Sequence, residues 1–328
     1  MKIRIVIGIL VAIIVAFAGY KLYPFFAAPE EEEQGENIPI ERENGKKLRF
    51  AVVVENYFPD ARPQSGLSQA DFVFETLAES GITRFLAFYS DTDVAKIGPV
   101  RSARPYFVDW VLGQTSVFAY SGTSIQAAAK ISALGSNFKG LDEYFNEQFF
   151  WRDGTRKAPH NLYTSTDLLR SAVEVKSWQE DGKDLGWVDG PTLHRATSTV
   201  EQIEIDFSFP AYFVTYKYDS ENNSYHRFIG SKPDIDANTN TQIAPKNIVV
   251  LFTTSSVIDQ KLLTINLQIL GSGKAMIFRS GGVTSARWKK DSADAPLRLL
   301  EADDSLIELN HGQTWFAIID QNGNLAWE

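Results

Sequence analysis

The sequence predicts an α+β fold: an α/β-like mixed N-terminal domain, then a mostly antiparallel β C-terminal domain, behind an N-terminal transmembrane helix. Three observations predict it. Strand-length apolar runs alternate with helical spacing between residues 48 and 190. From residue 205 onward only strand patterns separated by turn residues remain. The first 23 residues carry an uninterrupted apolar run.

At the N-terminus, Lys2 and Arg4 precede the apolar run Ile5 to Tyr20, and Glu30-Glu31-Glu32-Glu33 follows it. Basic residues before such a run and acidic ones after it orient the remaining chain outward. Sixteen residues fall just short of the about 20 that span a bilayer, but Lys21 can snorkel, and Tyr20, Tyr23 and Phe25 suit the interface. Residues 1–23 read as a single-pass signal anchor in the cell membrane, and 24–47 as a flexible acidic linker. Ala16-Phe17-Ala18 also fits a signal-peptide cleavage site, and cleavage there would give a secreted protein. On both readings the mixed domain 48–190 and the β-rich domain 205–328 are extracytoplasmic.

In the mixed domain, Leu48 to Glu55 is a β-branched run of a buried strand, and Asn56 to Ser68 is a Pro- and Gly-containing loop. Phe72 to Leu77, Arg84 to Ser90 and Val94 to Ser102 read as strands. Pro105 then opens a helix whose apolar face is Phe107, Val108, Val111 and Leu112. After a short strand at Val117 to Tyr120, Ser121-Gly122-Thr123-Ser124 supplies N-cap residues for a helix from Ile125 to Leu134, and Ser165 or Thr166 caps another ending at Val175. Beyond the connection 181–198, Tyr212 to Tyr218 turns through Asp219-Ser220-Glu221-Asn222-Asn223 into Tyr225 to Ile229, a hairpin pattern. Ile248 to Thr253, Leu263 to Leu270, Lys274 to Phe278 and Thr314 to Ile319 are further strands.

A net charge of −9 and pI near 5.1 argue against broad electrostatic binding to nucleic acid or anionic polymers, and leave room only for a local basic pocket. With no cysteine, thiol catalysis, Cys-ligated metals, disulfides and an N-terminal lipid-bearing Cys are excluded. No H-E-x-x-H, G-x-S-x-G or Walker A pattern is present, and no cofactor or metal is expected. Asp234-Ile235-Asp236-Ala237-Asn238-Thr239-Asn240 resembles a calcium loop. It lacks that loop's sixth-position Gly and has Pro245 at the twelfth position, so it reads as a polar hairpin connection.

The chemistry gathers in the first half. Gly98-Pro99-Val100-Arg101-Ser102-Ala103-Arg104-Pro105 sets two arginines where the chain enters a helix, and Arg84 starts a neighbouring strand. Arginine forks bind phosphate or carboxylate bidentately, and helix N-termini add N–H donors. The candidate ligand-binding set is Arg84, Arg101, Ser102, Arg104, Ser121, Gly122, Thr123, Ser124, His160 and Asn161, with no catalytic residue assigned. The competing reading pairs these arginines with Glu55, Glu75, Glu79 and Asp91 as structural salt bridges. His160 is either a general acid/base or a hydrogen-bonded loop residue.

Asn56, Arg62-Pro63-Gln64-Ser65-Gly66-Leu67, Ala70-Asp71, Glu75, Gly81-Ile82-Thr83-Arg84-Phe85, Gly98 to Arg104 and Pro159-His160-Asn161 together resemble the YerB-type family of bacterial lipoproteins, which is built on a domain of unknown function. Tyr225, Arg227, Gly271-Ser272-Gly273, Trp288-Lys289-Lys290 and Gly312-Gln313-Thr314-Trp315 are similar to its C-terminal partner module. The resemblance runs from residue 48 almost to the end and implies an envelope location, with no reaction attached. Two departures stand out: no cysteine is present for a lipid, and Tyr120 stands where relatives carry a His. A shorter pattern is similar to the LytR-CpsA-Psr envelope phosphotransferases, whose Pro-Arg-Asp turn is not matched by Pro99-Val100-Arg101-Ser102.

The expected function is a membrane-anchored envelope protein that binds an anionic, phosphate- or carboxylate-bearing ligand, cell-wall or lipid-linked, through an Arg-rich pocket. One alternative is an envelope enzyme on a phosphate-containing or glycan substrate, with His160 or Asp71 moving protons. The other is a non-catalytic scaffold. Oligomeric state is left open by the sequence.

Overall fold

The apolar run at the start of the mixed segment folds as strand β1 (Arg49–Glu55), and all seven of its residues are buried. Phe50, Val52 and Val54 enter one core while Ala51 and Val53 enter another, because neighbouring side chains on a strand point to opposite faces. A strand covered on both faces reads as a continuous apolar run rather than an alternating one. The computed structural model describes residues 48–114, 116–178, 184–191, 200–261 and 263–328. The expected anchor and linker lie outside the described residues. Within them no helix is long and apolar enough to cross a membrane.

β1 pairs antiparallel with β3 (Ile82–Tyr89) and parallel with β4 (Ser116–Tyr120). β3 pairs antiparallel with β2 (Phe72–Glu79), and β4 pairs parallel with β5 (Gly140–Asp142). Helix Pro105–Gln114 buries Phe107, Val108, Trp110 and Val111 against one face of this sheet. Ser124 caps helix Ile125–Leu134 by accepting from Ala127 N, and Ser165 caps helix Thr166–Val175 by accepting from Leu168 N, as the sequence predicts. Helix Thr166–Val175 covers the opposite face with Leu169, Ala172 and Val173.

The expected strand over Val94 to Ser102 is not formed. Ile97, Gly98 and Val100 make single bridges to Thr164, Ser65 and Val54, three different partners. Pro99 has no N–H to sustain a ladder, and Gly98 has φ +150°, so the segment crosses between elements instead of lying along one. Leu263 to Leu270 shortens to Thr264–Leu267, and Gly282–Lys290 forms a strand without an apolar run, its residues mostly polar and partly exposed. The calcium-loop look-alike is the tip of a small hairpin, Ile235–Asp236 against Thr241–Gln242.

The sequence divides into two segments, but the main sheet does not. Strand Thr314–Asp320 lies parallel to β2, with Phe74 opposite Phe316, and on its other side pairs with Asn247–Thr253. The sheet continues through Gly271–Arg279, Gly282–Lys290 and Arg298–Leu300. A second sheet, from Gln202–Asp206, Phe213–Asp219, Ser224–Ile229, Lys232–Pro233 and Asn324–Trp327, packs Ile203, Ile205, Val214 and Tyr216 into the core that also takes Val52 and Val54. Each fully buried side chain of this size contributes roughly 1.5–3 kcal/mol. The described architecture is thus α+β and sheet-rich.

Candidate functional site

β1, β4 and β5 run parallel, so their carboxyl ends lie on one side, carrying Glu55, Ser121 and Asp142-Glu143. In open sheets with parallel strands, loops at the carboxyl ends are where ligands bind. Asp71, by contrast, precedes β2, whose other end carries Glu79. It therefore lies at the far end of the sheet from His160, which removes it from any shared proton-transfer role.

Arg101 and His160 meet on Glu55. Arg101 Nε lies 2.8 Å from Glu55 Oε1, and His160 Nδ1 lies 2.9 Å from Glu55 Oε2 and 3.3 Å from an Arg101 Nη. A carboxylate only accepts and a guanidinium only donates. Nδ1 therefore either donates to Glu55 or accepts from Arg101, and the shorter contact assigns its proton to Glu55. Nε2 is left without a protein partner among the described residues. The imidazole also stacks on Tyr57, centroids 5.2 Å apart and planes 12° from parallel.

Arg84 and Arg104 meet on Glu79, at 2.5 Å and 2.6 Å. Burial pulls the Glu79 carboxyl upward, but the two guanidinium groups outweigh it and hold it below its ordinary range. Their remaining bonds run to the turn itself: Arg84 donates to Ser102 O and Arg104 to Ala103 O. Arg84 and Arg104 are buried, so the salt-bridge reading describes them: they hold the turn, and Arg101, with 22% of its side chain exposed, is the one that reaches solvent.

The Ser121–Ser124 segment is likewise tied down. Ser121 N donates to Arg101 O, Gly122 N to Asp142 Oδ1 at 2.9 Å, and Ser124 N to Ala103 O. Thr123 bridges Ala103, Ser102 Oγ donates to Ser121 O and Ser121 Oγ to Glu143. These amides fasten one loop to another rather than standing free. Arg152 pairs with Glu143 and donates to Asn161 Oδ1, and Asn161 Nδ2 donates to Asp153 O and Arg156 O. Asn161 thus closes the loop that presents His160. The predicted residues form one connected network, with Arg101 and His160 at its open side.

Two further arginines complete this side. Arg156 donates to Ala61 O at 3.1 Å and Pro63 O at 2.6 Å, and has no carboxylate partner among the described residues. Arg62 donates through Nε to Asn56 Oδ1 at 2.8 Å and lies 5.5 Å over Phe58 and 5.0 Å over Tyr212. Asn56 donates to Thr83, Thr83 to Glu75, and Glu75 accepts from Arg227 and Trp315. This buried relay anchors the 56–64 loop to the second half of the chain. Arg227 also pairs with Asp234, and these two carboxylates, with burial opposing, raise its pKa and keep it charged. Asp236 accepts from Gly66 N and Ser68 N, so the acidic hairpin supports the loop. Among the described residues no acidic or histidine cluster has the arrangement of a metal site. His194 lies outside them. Arg62 stood in the family motif without a role, and Arg156 was missed because only folding brings it onto the 61–63 carbonyls.

Residues 37–179 match the family "Protein of unknown function (DUF3048) N-terminal domain" and residues 203–316 the corresponding C-terminal domain. Over 286 residues the chain is 33% identical to "Putative lipoprotein YerB" of Bacillus subtilis (strain 168), covering 86% of this chain and 84% of that protein. The crystal structure of YerB protein from Bacillus subtilis superimposes with a TM-score of 0.74 at 31% identity, covering 87% of this chain and 96% of that one.

Proposed function

The chain belongs to the DUF3048 family, and from that premise we propose that it is a membrane-anchored, extracytoplasmic envelope protein that binds an anionic ligand beside Arg101, Arg156 and His160. The lipoprotein name of the Bacillus subtilis relative supports the membrane address. With no cysteine to carry a lipid, the apolar run Ile5 to Tyr20 serves here as the anchor. The observation that carries the ligand reading is Arg156, a guanidinium held only by two neutral carbonyl oxygens in a chain of net charge −9. An anion there gains charge-assisted hydrogen bonds without breaking an ion pair of Arg156.

The test is titration of the full-length chain, in detergent micelles, with inorganic pyrophosphate and with a dicarboxylate, against Arg156→Gln and Arg156→Lys. Losing a charge-assisted bond of about 1.5–3 kcal/mol weakens binding roughly 10- to 100-fold in the Gln variant, with partial recovery in the Lys variant. Equal affinity of wild type and Arg156→Gln would remove this site.

A second reading is favoured by one observation. Glu55 orients His160 through Nδ1, the arrangement of a general base. Turnover of a phosphate-containing or glycan substrate by wild type but not by His160→Gln would establish an enzyme.

A further inference from the structure

Beside the cationic groups lies an apolar surface that anion binding leaves unused. Tyr57, Phe58 and Phe209 are exposed to 39%, 54% and 55%. Each is fixed by a neighbour. Tyr57 stacks on His160, Phe58 faces the Arg62 guanidinium, and Phe209 packs so closely on Gly81 that a Cβ there would meet its ring at 2.5 Å. Phe58 N further donates to Tyr212 Oη. Exposed rings held rigid beside polar groups mark a binding surface rather than a stray apolar patch.

We propose, building on the anion-binding reading, that the ligand is an acidic saccharide: a sugar ring lying on Tyr57 and Phe58 with its carboxylate toward Arg156. A pyranose presents a flat C–H face that suits an aromatic ring and a rim of hydroxyls that both donate and accept. The rim around Tyr57 offers both kinds of partner, an acceptor in His160 Nε2, unpartnered among the described residues, and donors in Arg101 and Arg156. A free phosphate or carboxylate would leave the rings unused. An acyl chain needs a continuous apolar groove, and here the rings are bordered by His160, Arg101 and Arg156. The cation without a carboxylate selects the charged sugar over the neutral one.

A matched set of probes separates ring from charge. These are the disaccharide of N-acetylglucosamine and N-acetylmuramic acid, N,N′-diacetylchitobiose as its counterpart without the lactyl carboxylate, and diglutamate as carboxylates without a sugar. Calorimetric titration of the full-length chain is expected to give the acidic disaccharide about tenfold tighter binding than either control. Phe58→Ala and Phe58→Leu, the second keeping apolar bulk without the ring, are expected to weaken the disaccharide about tenfold and leave diglutamate unchanged. Thermal unfolding of both variants reports on the fold, and a loss shared by both probes counts against the ring contact. Diglutamate binding as tightly as the disaccharide, or Phe58 variants binding the disaccharide like wild type, overturns the saccharide while the anion site stands. N,N′-diacetylchitobiose binding equally well overturns the acidic part. If neither acid binds, both readings fall.

Discussion

Arg84, Arg101 and Arg104 occupy four consecutive positions and a facing strand, yet folding gives them different work. Arg84 and Arg104 are buried on Glu79, and Arg101 reaches solvent from Glu55. Because Glu79 is more acidic folded than unfolded, its contribution is complete above the unfolded value of about 4.3 and is lost as pH falls through the depressed folded value. Glu79→Gln is therefore less stable than wild type at neutral pH and loses less stability between about pH 5 and pH 3. Denaturant unfolding at both pH values measures this, and parallel losses in the two proteins would contradict it. The arginine cluster was legible in the sequence as a pattern. Its division into buried supports and one open cation was not, because exposure depends on which carboxylate each strand end delivers.

The elements read most reliably were those with local causes. Helices Ile125–Leu134 and Thr166–Val175 start where a serine side chain accepts an amide hydrogen, a signal contained within four residues. Val94 to Ser102 failed because its partners, Val54, Ser65 and Thr164, lie on three separate segments. Gly282–Lys290 was missed because polar residues fill its partly exposed face. The loop that bears Tyr57 and Arg62 turns at Gly66, which has φ +87° and where a Cβ would lie 2.8 Å from Lys96 O. Gly66→Ala is expected to cost about 1–2 kcal/mol from the left-handed backbone alone, before the clash is counted. Urea unfolding measures it, and unchanged stability would show that the loop relaxes freely.

At the scale of the molecule, two sequence modules build one main sheet. The β2 to Thr314–Asp320 pairing, with Phe74 and Phe316 stacked at 4.6 Å, joins positions some 240 residues apart, as does the buried bond from Trp315 to Glu75. Local patterning carries no trace of such contacts, which is why the sequence reads as two domains. Arg227→Ala would leave Glu75 and Asp234 buried without their cation. Its expected cost is about 3–5 kcal/mol, a large part of the about 5–15 kcal/mol that holds an ordinary domain folded. A variant with near wild-type denaturation would show that the triad does not join the halves. The family resemblance held across both modules, and the loops of the first, braced by the second, carry the proposed site. Anomalous diffraction from crystals grown with selenate tests that site most directly. The account predicts a selenium peak within hydrogen-bonding distance of the Arg156 guanidinium, on the side of Arg101 and His160. Selenate bound elsewhere, with none at Arg156, would contradict it.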